Sequence, residues 1–281
     1  MAGSDSEWRQ VRRRRKKACD ISTCQLSPKD FMGSVDMSKI QERVREAKME
    51  LTCEDIWQDW REMLTGCLRL QSQDITESGP DPHGLELDCV CYGLGSFLSG
   101  VASRYQLAML LLLLEALKIP HGRCSMFDPV FSPAECNMLR KMGFTVLSEN
   151  EEGKRPVSHP TLFYLLHCGT ALYNNLLWSN WSQQKLPLLT IMGNSFQGLQ
   201  DRMVQQDLER EYSFIANVST VCQETSLPCS TRFSDVFNDT VVLQFPRHRL
   251  STLPLHVWTH APEPKYLNCK DLEIILREVS S

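Results

Sequence analysis

A short apolar run, Leu87-Asp88-Cys89-Val90-Cys91-Tyr92, breaks into closely spaced glycines at Gly93, Gly95 and Gly100, and the stretch Gly100 to Leu117 then reads as a long apolar helix. This order of strand, glycine turn and helix constrains the fold more than any other stretch. It aims backbone N–H groups and the positive end of a helix at one place, where an anionic ligand would sit. The spacing G-x-G-x-x-x-x-G departs from the dinucleotide fingerprint, because Leu98 stands where the third glycine belongs. Two readings stay open: a nucleotide or cofactor site at Gly93, Gly95 and Ser96, or a tight turn that needs glycine for its dihedrals.

Downstream, strand-like and helix-like segments alternate. Cys124 to Phe127 reads as a second strand closing on Asp128-Pro129. Ser132-Pro133-Ala134-Glu135 then supplies an N-cap serine, a proline at the first helical position and a glutamate at the third, a capping box for a helix running to Met142. Phe144 to Leu147 reads as a third strand, Thr161 to Leu166 as a fourth with His167 at its carboxyl end, and Leu186 to Met192 as a fifth ending at Gly193-Asn194-Ser195. Helices are expected at Thr170 to Trp178, from Phe196 to about Glu209, and at Lys270 to Glu278; further strands at Phe214 to Val218, Thr240 to Phe245 and Leu255 to Thr259. Strands separated by helix-length segments imply an α/β fold with a doubly wound, mostly parallel, Rossmann-like sheet over residues 85–281.

Before it, residues 36–70 repeat apolar positions (Ile40, Val44, Met49, Ile56, Trp60, Met63, Leu68) at helical spacing, which predicts two amphipathic helices breaking near Thr52 or Cys53. Residues 71–84, with Ser-Gly-Pro-Asp-Pro-His-Gly, have linker composition. Residues 1–35 have the composition of a disordered tail, and Arg12, Arg13, Arg14, Arg15, Lys16 and Lys17 within it read either as a solvated block or as a nuclear-import or nucleic-acid-contacting signal.

Residues 18–281 carry 23 basic and 32 acidic side chains, a net of −9, so no strong nucleic-acid signature exists outside the tail. The Leu107–Leu114 apolar run is far shorter than the roughly 18 to 20 residues that cross a bilayer, so no membrane association is expected. Twelve cysteines without a secretory leader pattern are read as reduced thiols, which places the chain in the cytoplasm or nucleus. Cys89 and Cys91 alternate on a strand as small core residues, and no metal site is expected.

In a sheet of this kind ligands gather beyond the carboxyl ends of the strands. The candidate pocket is therefore Gly93, Gly95, Ser96, Asp128, His167, Gly193, Asn194 and Ser195. Asp128 stands where an acid would accept from ribose hydroxyls, or else forms a plain Asp-Pro turn. His167 is a base, a ligand or a structural group, and Asn194 both donates and accepts. Ser195 lacks the G-x-S-x-G elbow of a hydrolase nucleophile, so no catalytic residue is assigned.

Cys91-Tyr92-Gly93-Leu94-Gly95-Ser96-Phe97, Gln106-Leu107-Ala108, Asp128-Pro129-Val130-Phe131 with Glu135, Thr161-Leu162-Phe163-Tyr164 with His167-Cys168, Asn180-Trp181 and Gly193-Asn194-Ser195-Phe196 together resemble the Sensitivity to Red Light Reduced (SRR-like) family. Leu166 departs from that pattern, where proline is expected. The resemblance implies a regulatory role in circadian clock-gene expression and in heme biosynthesis, and carries no established reaction. No Cys-Pro dipeptide of the heme-sensing sort is present. The expected function is thus a regulator with unidentified protein partners and a nucleotide-like small molecule as the candidate ligand; no cofactor is identified. The alternatives are a transferase using S-adenosylmethionine, or an interaction scaffold with a vestigial pocket.

Overall fold

In the computed structural model, residues 37–75, 86–259, 261–266 and 274–275 are described. The Arg12–Lys17 block, the rest of the expected tail and residues 76–84 of the expected linker lie outside them, as does most of the expected helix at Lys270 to Glu278.

Two helices open the described chain, α1 (Met37–Thr52) and α2 (Asp55–Ile75). They present Ile40, Val44, Ala47 and Leu51, then Ile56, Trp57, Trp60, Leu64 and Cys67, at the three-and-four spacing that makes one apolar stripe. Met49 is half-exposed and falls off that stripe. The helix α2 runs to Ile75, so residues 71–75, read as linker, are helical instead. Their polar Gln71 is buried because it donates to Pro187 O (2.8 Å) and accepts from Thr190 Oγ1 (2.8 Å).

The strands that follow are β1 (Asp88–Tyr92), β2 (Cys124–Phe127), β3 (Thr145–Val146), β4 (Thr161–Leu165), β5 (Leu189–Asn194), β6 (Gln223–Ser226) and β7 (Thr240–Gln244), in the sheet order β3-β2-β1-β4-β5-β7-β6. The first five run parallel; β7 is antiparallel to both β5 and β6. Helices α3 (Val101–Ala116) and α4 (Pro133–Lys141) join β1, β2 and β3, while α5 (Thr170–Ser179) joins β4 and β5. Further short helices follow: α6 (Phe196–Arg202), α7 (Gln205–Glu211), α8 (Ser213–Val218) and α9 (Ser234–Phe237), then α10 (Arg247–Leu250) and α11 (Leu255–Thr259).

Strand alternation divides the core into two layers. Cys89, Cys91, Leu162, Tyr164, Met192 and Val242 face a cluster built with α1, α2, α3, α4 and α9. Their neighbours Val90, Tyr92, Phe163, Leu165, Ile191, Val241 and Leu243 face α5, α6, α7 and α8. Helices on both faces of a mostly parallel sheet are the doubly wound architecture that alternating segments imply. The capping box forms as its residues dictate: Ser132 Oγ accepts from Glu135 N, and the Glu135 carboxylate accepts from Ser132 N.

Four expectations are corrected. Phe214 to Val218 is not a strand but α8, because the buried Asn174 of α5 accepts from Phe214 N (3.1 Å) and Ile215 N (3.3 Å) and so caps its first turn. Leu255 to Thr259 is also helical, held through Trp181 Nε1 to Val257 O (2.8 Å) and the Trp181–Trp258 ring contact. Leu186–Leu188, placed in the fifth strand, is a 3-10 turn around Pro187, which cannot donate to a ladder. The expected single helix from Phe196 is two, α6 and α7, separated at Met203 and Val204.

Candidate functional site

The parallel strands bring the carboxyl ends of β1, β2, β4 and β5 to one edge of the sheet. The chain leaves β1 toward β2 on one side and returns to β4 on the other, so a crevice opens where the direction of winding reverses. A cleft of about 350 Å³ occupies this place. It is lined by Tyr92 and Gly93 at the end of β1, by Phe127, Asp128 and Pro129 at the end of β2, by His167, Cys168 and Gly169 after β4, by Asn150 to Gly153 from the β3–β4 connection, and by Leu172, Ile274 and Ile275.

Of the residues selected from sequence, Gly93, Asp128 and His167 line this cleft. Gly95, Ser96, Gly193, Asn194 and Ser195 do not. Gly95 lies one layer away, where its N–H donates to Asp128 Oδ2 at 2.7 Å. Ser96 Oγ accepts from the Ser99 hydroxyl at 3.0 Å. Ser195 caps α6, accepting from Gly198 N (2.8 Å) and donating to Glu224 Oε2 (2.7 Å). Asn194 buttresses the rim instead of facing the cleft: Nδ2 donates to Cys168 O (2.9 Å) and its N–H to Tyr173 Oη (2.9 Å). At Gly193 a side chain would strike Tyr173 and Leu165 O, so glycine is there for packing.

The glycine turn is held from within by two carboxylates. Asp128 accepts from Gly95 N and from Val130 N (2.9 Å). Glu135, 1% exposed, accepts from Leu98 N (3.1 Å), from Ser132 N (2.8 Å) and from Ser132 Oγ (2.8 Å). Burial pushes the Glu135 carboxyl up, but these donors outweigh it and hold the group below the usual carboxylate range. Gly93 and Gly95 adopt φ of +68° and +77°, and a Cβ on either would collide with Cys168 Sγ or Ser103 Oγ.

Among the described residues four non-glycine residues have left-handed φ; Lys118 and Asp239 lie away from the cleft, and the other two line it. Glu152 and His167 have left-handed φ of +53° and +54° although neither is glycine, and both line the cleft. Each such residue costs on the order of 1 kcal/mol or more and persists only where its surroundings over-determine it. Glu152 is fixed by its carbonyl accepting from Asn175 Nδ2 (2.8 Å), and His167 by Nε2 donating to Val236 O (3.0 Å).

Sequence reasoning missed the whole Asn150–Gly153 wall, which sits in a stretch that reads only as polar. Two acids followed by glycine were its one signal. Glu151 accepts from Tyr92 Oη and from Arg155 Nη1 (2.9 Å), and Glu152 pairs with Lys154 (2.7 Å). Burial, then the Glu151 contact, pushes the Tyr92 hydroxyl far up; burial and the charge on Asp128 do the same to the Cys168 thiol, which donates to Tyr92 O (3.4 Å). Gln106, at the start of α3, does not face the turn: it is buried and donates to Val236 O (3.1 Å). Among the described residues no cluster of His, Cys, Asp and Glu suits a metal ion, and no helix is long and apolar enough to cross a membrane.

A mostly parallel α/β sheet with a cleft at its switch point is a Rossmann-like domain. Its family is set by comparison: the SRR1 domain matches residues 79–244, and the chain belongs to the SRR1 family. It is 44% identical over 204 residues to an SRR1-like protein of Mus musculus, covering 66% of this chain and 82% of that one. It is 32% identical over 214 residues to the Arabidopsis thaliana protein SENSITIVITY TO RED LIGHT REDUCED 1, covering 72% and 76%. An SRR1-like protein of Drosophila melanogaster is 35% identical over 161 residues, covering 57% and 56%. No solved structure matches the chain.

Proposed function

We propose that this chain is a regulatory protein whose cleft between the ends of β1 and β4 holds a small polar ligand and whose output is carried by protein partners. Its roles are those the family resemblance implies, in circadian clock-gene expression and in heme biosynthesis. The observation that carries the ligand reading is the cleft itself, at the position where open α/β sheets bind ligands, with two strained non-glycine residues in its lining. Two of the groups there with nucleophile or base chemistry are engaged elsewhere. Cys168 is a buried thiol held in its protonated form, and His167 has its Nε2 hydrogen on Val236 O. This supports occupancy over turnover. Thermal-shift titration of the full chain with NAD, ATP, S-adenosylmethionine and heme tests the reading: a saturable rise in midpoint with the compound recovered unchanged is expected. Flat midpoints throughout would leave the scaffold reading in its place.

A transferase using S-adenosylmethionine is the second reading, favoured by the glycine turn after β1 together with the acid after β2. Turnover of that compound in the presence of cell extract would support it; calorimetry showing no binding would remove it. For location we propose cytoplasm and nucleus, with Arg12 to Lys17 as the import signal. Imaging a variant with those six residues replaced by alanine tests this, with loss of nuclear signal expected.

A further inference from the structure

We infer that the ligand of this cleft carries a positive charge, an ammonium or sulfonium group set against Asp128, and that the cleft is not a phosphate site. The inference rests on the ligand-binding reading above and specifies its chemistry. A glycine turn binds phosphate by leaving its amides open toward the ligand. Here four of them are turned inward: Gly93 N donates to Phe127 O (3.3 Å), Gly95 N to Asp128, Leu98 N to Glu135, and Gly100 N to Ser96 O (2.8 Å), and of the whole turn only Gly93 reaches the cleft lining.

Charge points the same way. Among the described residues the cleft lining holds three carboxylates, Asp128, Glu151 and Glu152, and no lysine or arginine. Glu151 and Glu152 have cations of their own in Arg155 and Lys154. Asp128 does not. It is 8% exposed, and among the described residues its two oxygens accept only the neutral backbone amides of Gly95 and Val130. A carboxylate offers about four acceptor positions, so roughly half its capacity stays open in a group whose burial favours a counter-charge. A phosphate would meet repulsion there, and a cation would supply the missing partner. The volume, about 350 Å³, suits one nucleoside-sized molecule rather than a dinucleotide.

Calorimetric titration of the full chain with three probes of related body tests this: S-adenosylmethionine, which is cationic at sulfur and nitrogen, methylthioadenosine, which is neutral, and AMP, which is anionic. S-adenosylmethionine should bind about tenfold or more tighter than methylthioadenosine, weaken as salt is raised, and leave AMP weakest. Asp128→Asn should weaken S-adenosylmethionine by about thirtyfold while leaving methylthioadenosine nearly unchanged. Should that variant fail to fold, the ranking of probes and its salt dependence on the unaltered chain still decide. Methylthioadenosine or AMP binding as tightly as S-adenosylmethionine overturns the inference and spares the ligand-binding reading. No binding by any of the three also overturns the inference, while the thermal-shift panel with NAD, ATP and heme decides the ligand-binding reading separately.

Discussion

Replacing Glu135 with alanine isolates the clamp that ties the glycine turn to α4. The carboxylate is almost fully buried and accepts three hydrogen bonds, from Leu98 N, Ser132 N and Ser132 Oγ. Its loss removes half of the capping box, about 1 kcal/mol, and leaves the Leu98 amide without its charged acceptor, a further 1.5 to 3 kcal/mol or so. A loss near 3 kcal/mol is expected, which for a domain of this size is a midpoint drop of roughly 6 to 12 °C. Because its folded-state pKa lies below the ordinary 4.5, the contribution is fully present above that value and is lost as pH falls through the depressed one. Denaturant titrations of both proteins at neutral and acid pH should show a gap that is widest at pH 7 and narrows in acid. A gap under about 1 kcal/mol at pH 7, or one indifferent to pH, would refute the clamp.

Four other outcomes follow from the packing. Gly193→Ala forces a methyl into Tyr173 and Leu165 O and should cost about 1 to 3 kcal/mol in a denaturant melt. Trp60→Ala deletes a side chain with no exposure, its bond to Pro228 O (2.8 Å) and its edge contact with Phe237; about 3 to 5 kcal/mol is expected, with α1 and α2 losing amide-exchange protection together. Asn180→Ala strips partners from Val157 N, Arg155 O and Leu176 O, so exchange should accelerate first across residues 150–160, the segment that carries the Asn150–Gly153 wall of the cleft. Mass spectrometry after brief alkylation at pH 8 should find Cys53 and Cys229 modified and Cys222 spared, because Cys222 is buried and its thiol is pushed up to about 12.

The parts of the fold legible in sequence are those where periodicity and turn chemistry agree. Cys124–Phe127 and the Ser132–Glu135 box are local statements, complete within a few residues, and the chain folds as they say. Phe214 to Val218 is apolar enough for a strand or a helix, and the deciding group, Asn174, is forty residues away. The β6 strand Gln223–Ser226 is polar because it sits at the sheet edge with one partner, so no apolar run announces it. The reversed direction of β7 is set by the whole connection after β5 and leaves no mark on Thr240–Gln244. The site divides similarly. Glycines and strand-end acids were visible, but whether an amide faces a guest or its own Asp128 depends on how two loops meet, and the Asn150–Gly153 wall reaches the cleft only through tertiary bonds such as Asn175 to Glu152 O.

Trp60 and Cys67 are sealed by groups made far later: Trp60 Nε1 donates to Pro228 O, 168 residues on, and Cys67 O accepts from Gln244, 177 residues on. At about 5 to 20 residues per second of synthesis, the stripe on α2 waits roughly 8 to 35 seconds on the ribosome before its lid exists. Any chain shortened ahead of Pro228 would therefore leave Trp60 uncovered, and such nascent fragments expose the apolar surface that chaperones bind.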